Sequence, residues 1–141
     1  MSDVFTKEIR SEIMSRIKSA NTRPEFLVRK FIFSHGYRYR LHQKSLIGKP
    51  DIVLKKLKTV INVHGCFWHG HKGCKFFKMP KTNNDFWKHK ISNTIQRDKI
   101  AEETLKNDGW TVITIWECSL RPNKREKTLS DLLIQLNSFS S

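Results

Sequence analysis

The chain has 141 residues and a formal net charge of +14, because it holds 27 lysines and arginines but only 13 aspartates and glutamates. Its length favours a single domain, its 9 phenylalanines and 4 tryptophans exclude a disordered chain, and no apolar run is long enough for a membrane span or a signal peptide. We therefore expect a monomeric cytoplasmic protein whose partner is a polyanion, nucleic acid rather than a membrane surface; the alternative is that the charge serves solubility alone.

The predicted elements begin with a basic arm and a capped helix. Residues 1–20 form the arm, with a short helix over residues 6–19, and residues 21–141 form the rest of the single domain. Thr22 and Glu25 have the spacing of a capping box, and Pro24 lies between them. The helix that they open ends at Gly36. Its predicted buried face consists of Phe26, Leu27, Phe31 and Ile32.

Strands and two further helices follow. Strands are predicted at residues 37–41, 51–54 and 59–63, and the last two form a hairpin. A long helix over residues 85–107 is capped by Asn83 or Asn84, and residues 110–116 form a buried strand. After a loop at residues 117–127, the last helix points four leucines inward: Leu129, Leu132, Leu133 and Leu136. This order predicts an α/β domain with a small mixed central sheet flanked by helices.

The basic charge surrounds one carboxylate. Between Glu25 and Asp85 there are 13 lysines and arginines but a single acid, Asp51. Because a phosphate-binding surface is weakened by carboxylates, the retained Asp51 is a candidate metal ligand or base. The alternative is that Asp51 only opens a strand after the turn formed by residues 48–50.

Cysteines and histidines are concentrated between residues 64 and 83, which show no periodicity. The odd number of cysteines, 3, argues against a disulfide framework. Zinc takes four tetrahedral ligands from Cys and His at short spacings, so Cys66, His71, Cys74 and Cys118 are candidates for a closed, structural site. Spacing alone also allows His69 as the fourth ligand. The alternative is three unconnected thiols in a basic loop.

The segment from His64 to His69, followed by His71 and Cys74, resembles the signature of the very short patch repair (Vsr) DNA mismatch endonucleases. The similarity runs from about Ser11 to Leu120. Further matching pieces are Pro50-Asp51, Phe86-Trp87, Arg97-Asp98 and Trp116-Glu117-Cys118. One departure is Lys72-Gly73, a longer spacing than is frequent in the family, which leaves the choice between His69 and His71 open.

The resemblance implies a restriction-endonuclease-like core in residues 21–141, with a zinc-bound loop. It also implies an Mg²⁺-dependent endonuclease that nicks one strand of double-stranded DNA immediately 5′ of the thymine in a T·G mispair. Such mispairs arise when 5-methylcytosine deaminates. The implied setting is therefore DNA repair at the nucleoid, beside a cytosine-5 DNA methyltransferase, with general mismatch-repair proteins as candidate partners.

The implied catalytic residues agree with the chemistry of phosphodiester hydrolysis. Mg²⁺ is often held by only one or two carboxylates, and it lowers the pKa of an attacking water, a role that suits Asp51. The resemblance implies the Val63 backbone carbonyl as a second Mg²⁺ contact, and Glu25 as an acid that reaches the metal through water. His69 would be the base and His64 its partner. Glu25 is also explained by its capping box, and both histidines by structural roles.

Aromatic side chains in a basic loop suggest how a mispair is recognised. Aromatic side chains can insert as wedges between stacked bases, and the free-energy cost of unstacking is lowest at a mismatched base pair. The resemblance assigns intercalation to Phe67, Trp68 and Trp87, and closure over the DNA to the arm around Met14. Lys90 is a candidate contact to the phosphates. The alternative is core packing, above all for Phe77 and Phe86.

Two other functions fit these features. A zinc-stabilised DNA-binding protein without catalysis would bind a mispaired duplex but would not need Asp51. A restriction-type nuclease would cut both strands of paired DNA.

Overall fold

The computed structural model describes residues 22–75 and 77–139, so the predicted arm and Met14 lie outside the described residues. In chain order, the elements are α1 (Arg23–Ser34), β1 (Arg40–Leu41), β2 (Ile52–Leu54), β3 (Thr59–His64), α2 (Asn84–Asn107), β4 (Thr111–Trp116) and α3 (Pro122–Phe139). Short 3-10 helices lie at Lys55–Leu57 and Glu117–Leu120. Among the helices of the described ranges, none is long and apolar enough to cross a membrane.

The four strands form one mixed sheet in the order β1-β2-β3-β4. The pairs β1–β2 and β2–β3 are antiparallel, whereas β3 and β4 are parallel and are connected through α2. The predicted α/β class with a small mixed sheet is therefore confirmed. Because β3 and β4 are parallel, His64 and Trp116 end their strands side by side, and the segments that follow them start at one edge of the sheet.

Helix α1 begins as predicted, but it buries a different face. The Thr22 hydroxyl accepts the Glu25 N–H at 3.4 Å, as a capping residue does. The predicted burial of Phe26 is wrong, since its side chain is 53% exposed. The reason is that Glu25 and Arg29, four residues apart, occupy the buried stripe beside the apolar residues. Fully or partly buried apolar residues of α1 are Val28, Ile32, Leu27 and Phe31.

Two other boundaries differ from the predictions. The strand predicted at residues 37–41 is shorter in the structure, where only Arg40 and Leu41 pair with β2. The loop predicted at residues 117–127 is wrong, since α3 already begins at Pro122. Proline is favoured at the first helical position, where its missing N–H is not needed. Of the four leucines of α3, Leu129, Leu132 and Leu136 are buried and Leu133 is half-buried.

Helix α2 packs against the loop that follows β3. It begins at Asn84 after the cap residue Asn83, within one residue of the prediction. Gly70, at φ +56°, lies so close to α2 that a Cβ there would be 2.6 Å from the Ile95 Cδ1. Gly70 therefore permits both the left-handed turn and the close approach of the loop to the helix.

Candidate active site and metal centre

The candidate site residues meet at the edge of the sheet where β3 and β4 end. Asp51 directly precedes β2, and because β2 runs antiparallel to β3, it lies beside the last residues of β3. Three groups of potential ligands lie in the described part of the chain. We call Cys66, His71, Cys74 and Cys118 the thiol cluster. We call the other two groups together, Glu25, His42, Asp51, His64, His69 and Asp98, the acid–histidine centre.

The thiol cluster is a compact set of four ligands, whose ligand atoms all lie within 4.8 Å of one another. The loop folds back on itself because the His71 N–H donates to the Cys66 carbonyl at 2.9 Å, and Gly73 adopts φ +74° before Cys74. Cys118 comes from the 3-10 helix after β4, and its Sγ lies 3.5 Å from the His71 Nδ1. The cluster therefore ties the loop after β3 to the end of β4.

The donor set fits zinc. Zinc bonds of ~2.3 Å to sulfur and ~2.0 Å to nitrogen at the tetrahedral angle place the two donor atoms about 3.5 Å apart, close to the observed separation of Cys118 and His71. Burial raises the pKa of the Cys66 thiol to about 12; the backbone N–H of Cys118 opposes this, and the thiols of Cys118 and Cys74 add to it. Without a cation Cys66 is thus held as a thiol, whereas a bound metal would take its thiolate. The four residues could hold a metal ion.

His69, the alternative fourth ligand, points to a different partner. Its Nδ1 lies 2.6 Å from the Asp98 Oδ2, and its ring stacks on that of His64 at a centroid distance of 3.8 Å and an angle of 3°. The structure therefore brings His71, and not His69, to the thiols. Asp98 is a site residue that the sequence analysis quoted only within the Arg97-Asp98 motif.

Trp116 lies between the thiol cluster and the acid–histidine centre. Its ring stacks on His71 of the thiol cluster at 4.0 Å, and it contacts His64 in an edge arrangement at 5.2 Å. Because Trp116 is the register partner of His64 at the end of β4, the sheet fixes this arrangement.

His64 is held in its neutral form. Burial lowers the pKa of His64 to about 4, and positive charge on His69 lowers it further, while Asp98 opposes both. At neutral pH the His64 imidazole therefore carries no net charge. It can donate one hydrogen bond and accept another.

Asp51 is anchored to the neighbouring strand. Its Oδ2 accepts the Val63 N–H at 2.8 Å. Burial raises the pKa of the Asp51 carboxyl, an effect partly offset by this hydrogen bond and by positive charge on His42, His69 and Arg29. The observed contact of Val63 is its N–H, and the use of its carbonyl as a metal contact stays a prediction.

Glu25 is a buried carboxylate with two partners. Its side chain is 2% exposed, and its Oε2 accepts hydrogen bonds from Arg29 and, at 3.0 Å, from the His42 Nε2. His42 also lies 4.0 Å from the Asp51 Oδ1. No pattern in the sequence indicated a role for His42. A role for Arg29 could have been found from its i, i+4 spacing with Glu25.

Aromatic side chains form a half-buried cluster next to the thiol cluster. The rings of Phe67, Trp68 and Trp87 lie 5.1–5.7 Å from one another, and Phe77 lies 6.2 Å from Phe67. The suggestion that Phe86 belongs to the core is wrong, because it is 59% exposed at the start of α2. Lys90 is half-buried, one turn further along α2.

Comparison with known proteins decides the family. Residues 2–75, slightly more than half of the chain, match the family model described as DNA mismatch endonuclease Vsr. The DNA mismatch endonuclease Vsr of Escherichia coli (strain K12) is 38% identical over 135 residues, which cover 96% of this chain and 85% of the relative. The chain belongs to the Vsr DNA mismatch endonuclease family.

Other Vsr relatives are named as nicking enzymes. The type II nicking enzyme V.NmeAIP of Neisseria meningitidis serogroup A is 50% identical over 121 residues, 86% of each chain. The type II nicking enzyme V.XorIIP of Xanthomonas oryzae pv. oryzae is 46% identical over 120 residues, 85% of this chain and 88% of the relative. The predicted family is therefore confirmed, and with it the class of endonuclease that acts on DNA.

Proposed function

We propose that the protein nicks one strand of duplex DNA immediately 5′ of the thymine in a T·G mispair, and so initiates very short patch repair of deaminated 5-methylcytosine. The observation that carries the proposal is the position of Asp51. It is the single carboxylate between Glu25 and Asp85. It is hydrogen-bonded to the N–H of Val63, and the next residue, His64, stacks on His69. A candidate metal ligand and a candidate base therefore lie close together in a stretch whose positive charge would bind DNA.

A divalent ion fits the carboxylate side of the acid–histidine centre. Asp51 and Glu25 offer hard oxygen atoms, the donors that Mg²⁺ prefers, and Mg²⁺ sites commonly use one or two carboxylates with waters and substrate phosphate. We propose Asp51 and the Val63 carbonyl as direct contacts and Glu25 as a contact through water. When bound, the ion would neutralise phosphate charge and lower the pKa of the attacking water.

The hydrogen bond from His69 to Asp98 suits a general base. If Nδ1–H donates to the Asp98 carboxylate, Nε2 keeps its lone pair and can accept the proton of the attacking water. The negative charge of Asp98 then stabilises the imidazolium that forms. His64, neutral and stacked on His69, can donate a hydrogen bond to the phosphate. These assignments give Asp98 the role of a positioning residue.

We propose that the thiol cluster binds one structural Zn²⁺. All four tetrahedral positions would be filled by protein, so no position would remain for water or substrate. The ion would fix the loop that carries both His69 and the aromatic cluster.

Recognition of the mispair is proposed to lie with Phe67, Trp68 and Trp87. Their rings are only half-buried and already packed together, so they could enter the base stack as one wedge. Unstacking costs least at a mispair, which makes such a wedge selective. Lys90 and the other cations would supply contacts to phosphate, which carry affinity but no sequence information. Met14 remains a prediction from the resemblance, and so does the functional link to a cytosine-5 methyltransferase.

The test uses paired and T·G-mispaired duplexes, each labelled in turn at the end of either strand, with Mg²⁺ and zinc-loaded protein. We expect cleavage of the thymine strand alone, in the mispaired duplex alone, and its loss in Asp51→Asn. Binding without cleavage would favour the zinc-stabilised binding protein. Cleavage of both strands of the paired duplex would favour a restriction-type nuclease.

A further inference from the structure

The loop after β1 places a histidine against both carboxylates of the acid–histidine centre. His42 directly follows β1, and its N–H donates to the Asp51 carbonyl at 3.2 Å, which extends the β1–β2 ladder by one bond. Its backbone has φ +45°, a left-handed conformation in which histidine, like asparagine and aspartate, is found more often than most residues other than glycine.

The imidazole of His42 lies against the carboxylates of two different segments of the chain. Its Nε2 lies 3.0 Å from the Oε2 of Glu25 on α1 and 4.0 Å from the Oδ1 of Asp51 before β2. The side chain is 25% exposed, whereas Glu25 is 2% exposed. Arg29, from the same helix as Glu25, donates to the same oxygen.

Two carboxylates that face each other repel, so a pair that is to share one cation needs groups that hold it in place beforehand. A hydrogen bond from the His42 Nε2–H to Glu25 leaves that nitrogen without a lone pair, so the nitrogen that faces the two carboxylates does not ligate the metal itself. Groups of this kind, which orient ligands without touching the metal, typically change metal affinity by about 10- to 100-fold when they are removed.

We propose that His42 is a positioning residue of the divalent-metal site, which holds the Glu25 carboxylate beside Asp51 so that both face one ion. The inference rests on the proposed function, because it takes Asp51 and Glu25 as the acids of that site. It adds a residue to which the resemblance gives no role.

The test compares His42→Asn with His42→Gln. Asparagine tolerates the left-handed backbone, but its amide nitrogen is one bond closer to Cβ than the His42 Nε2 and no longer reaches Glu25. Glutamine restores a donor at the same number of bonds. His35→Gln is the matched control, since His35 is an exposed histidine at the end of α1, outside the three ligand groups.

Two measurements are made on zinc-loaded, full-length protein. Binding of Mn²⁺ alone is followed by electron paramagnetic resonance without DNA, and nicking of the mispaired duplex is measured against Mg²⁺ concentration. We expect His42→Asn to weaken Mn²⁺ binding by about 10- to 100-fold and to raise the half-saturating Mg²⁺ by a similar factor, with a much smaller change in the rate at saturation. His42→Gln should recover most of the affinity, and His35→Gln should match the wild type.

Wild-type Mn²⁺ affinity in His42→Asn would overturn the role of His42. A second variant, Glu25→Gln, tests the proposal without any change at position 42. It should lose at least as much Mn²⁺ affinity as His42→Asn does, and unchanged Mn²⁺ binding would also overturn the proposal. Combined with His42→Asn, it should show less than the sum of the two losses, since both act through one hydrogen bond. A wild-type protein that binds Mn²⁺ no better than Asp51→Asn would instead overturn the metal site itself, and the proposed function with it.

Discussion

The thiol cluster and the acid–histidine centre differ in how the chain builds them, although Trp116 contacts a histidine of each. Three of the four ligands of the thiol cluster come from the stretch 66–74, and only Cys118 is distant in sequence. The acid–histidine centre collects its six side chains from both helices α1 and α2, the sheet and two loops. The first is therefore a local arrangement with one tertiary contact, and the second is assembled wholly by tertiary structure.

The two regions also differ in their chemistry. Soft sulfur and nitrogen donors can fill every position around one zinc ion, which suits a site that stabilises the fold. The oxygen donors of Asp51 and Glu25 are too few to surround an ion, so water and phosphate must complete the shell. An incomplete shell is what a hydrolytic site requires. Changes to the first region should thus affect stability most, and changes to the second should affect catalysis.

Loss of the metal from the thiol cluster should give the largest effect. We expect Cys118→Ser to lose its zinc and to lower the free energy of unfolding by several kcal/mol, because structural zinc contributes about 10 kcal/mol or more in small zinc-binding domains. Zinc content by mass spectrometry and thermal melting measure the change, and Ser119→Ala serves as the neighbouring control. If Cys118→Ser keeps its full zinc content and the wild-type melting temperature, the thiol cluster does not stabilise the fold, and the two regions do not differ in this respect.

Asp51→Asn should abolish most of the catalysis and leave the stability intact, in contrast to Cys118→Ser. Nicking should fall by about 10³-fold or more, because the charge stabilisation supplied by a catalytic metal amounts to several kcal/mol. Stability without Mg²⁺ should be unchanged or higher. Burial raises the pKa of Asp51 in the folded state, so its ionisation opposes folding at pH 7, and this cost disappears as the pH falls below the unfolded value. Single-turnover kinetics measure the loss of nicking, and thermal melting in Mg²⁺-free buffer measures the stability. A large drop in the stability of Asp51→Asn would contradict the prediction.

His64 should make the protein sensitive to acid. Its folded pKa of about 4 lies below the ordinary value of 6.5, so between these values only the unfolded chain takes up the proton, and stability falls as the pH falls. The loss attributable to His64 reaches at most about 3 kcal/mol near pH 4. Urea unfolding at pH 7 and near pH 4 should show a smaller loss in His64→Gln than in the wild type, whereas His35→Gln should behave like the wild type.

Trp68→Ala should give the smallest effect of this series. Stacking of a base on an aromatic side chain contributes about 1–3 kcal/mol, so affinity for the mispaired duplex should fall by roughly 5- to 150-fold. Fluorescence anisotropy with mispaired and paired duplexes measures it. Affinity for the paired duplex should hardly change, and Phe33→Ala, an exposed aromatic on α1, should affect neither. An equal loss on both duplexes would show that Trp68 binds DNA without testing the base pair.

Local signals in the sequence predicted most of the elements. The cap at Thr22 and the long helix α2 followed from capping signals and periodicity, and the strand β4 followed from its β-branched and aromatic residues. The errors arose where tertiary contacts override local preference. Phe26 is exposed because the buried Glu25–Arg29 pair takes the inward stripe, and residues 122–127 are helical although their polar sequence reads as a loop.

The sequence by itself determined the basic charge, the lone Asp51, the α/β class and the candidate ligands Cys66 and Cys74, because charge, periodicity and short ligand spacings are local properties. The choice of His71 over His69 depended on the turn that folds the loop back at Cys66 and directs His69 to Asp98. The meeting of His42, Glu25 and Asp51 was decided by the tertiary structure alone. His42 and Asp51 are placed side by side by the pairing of β1 with β2, and the packing of α1 against the sheet adds Glu25.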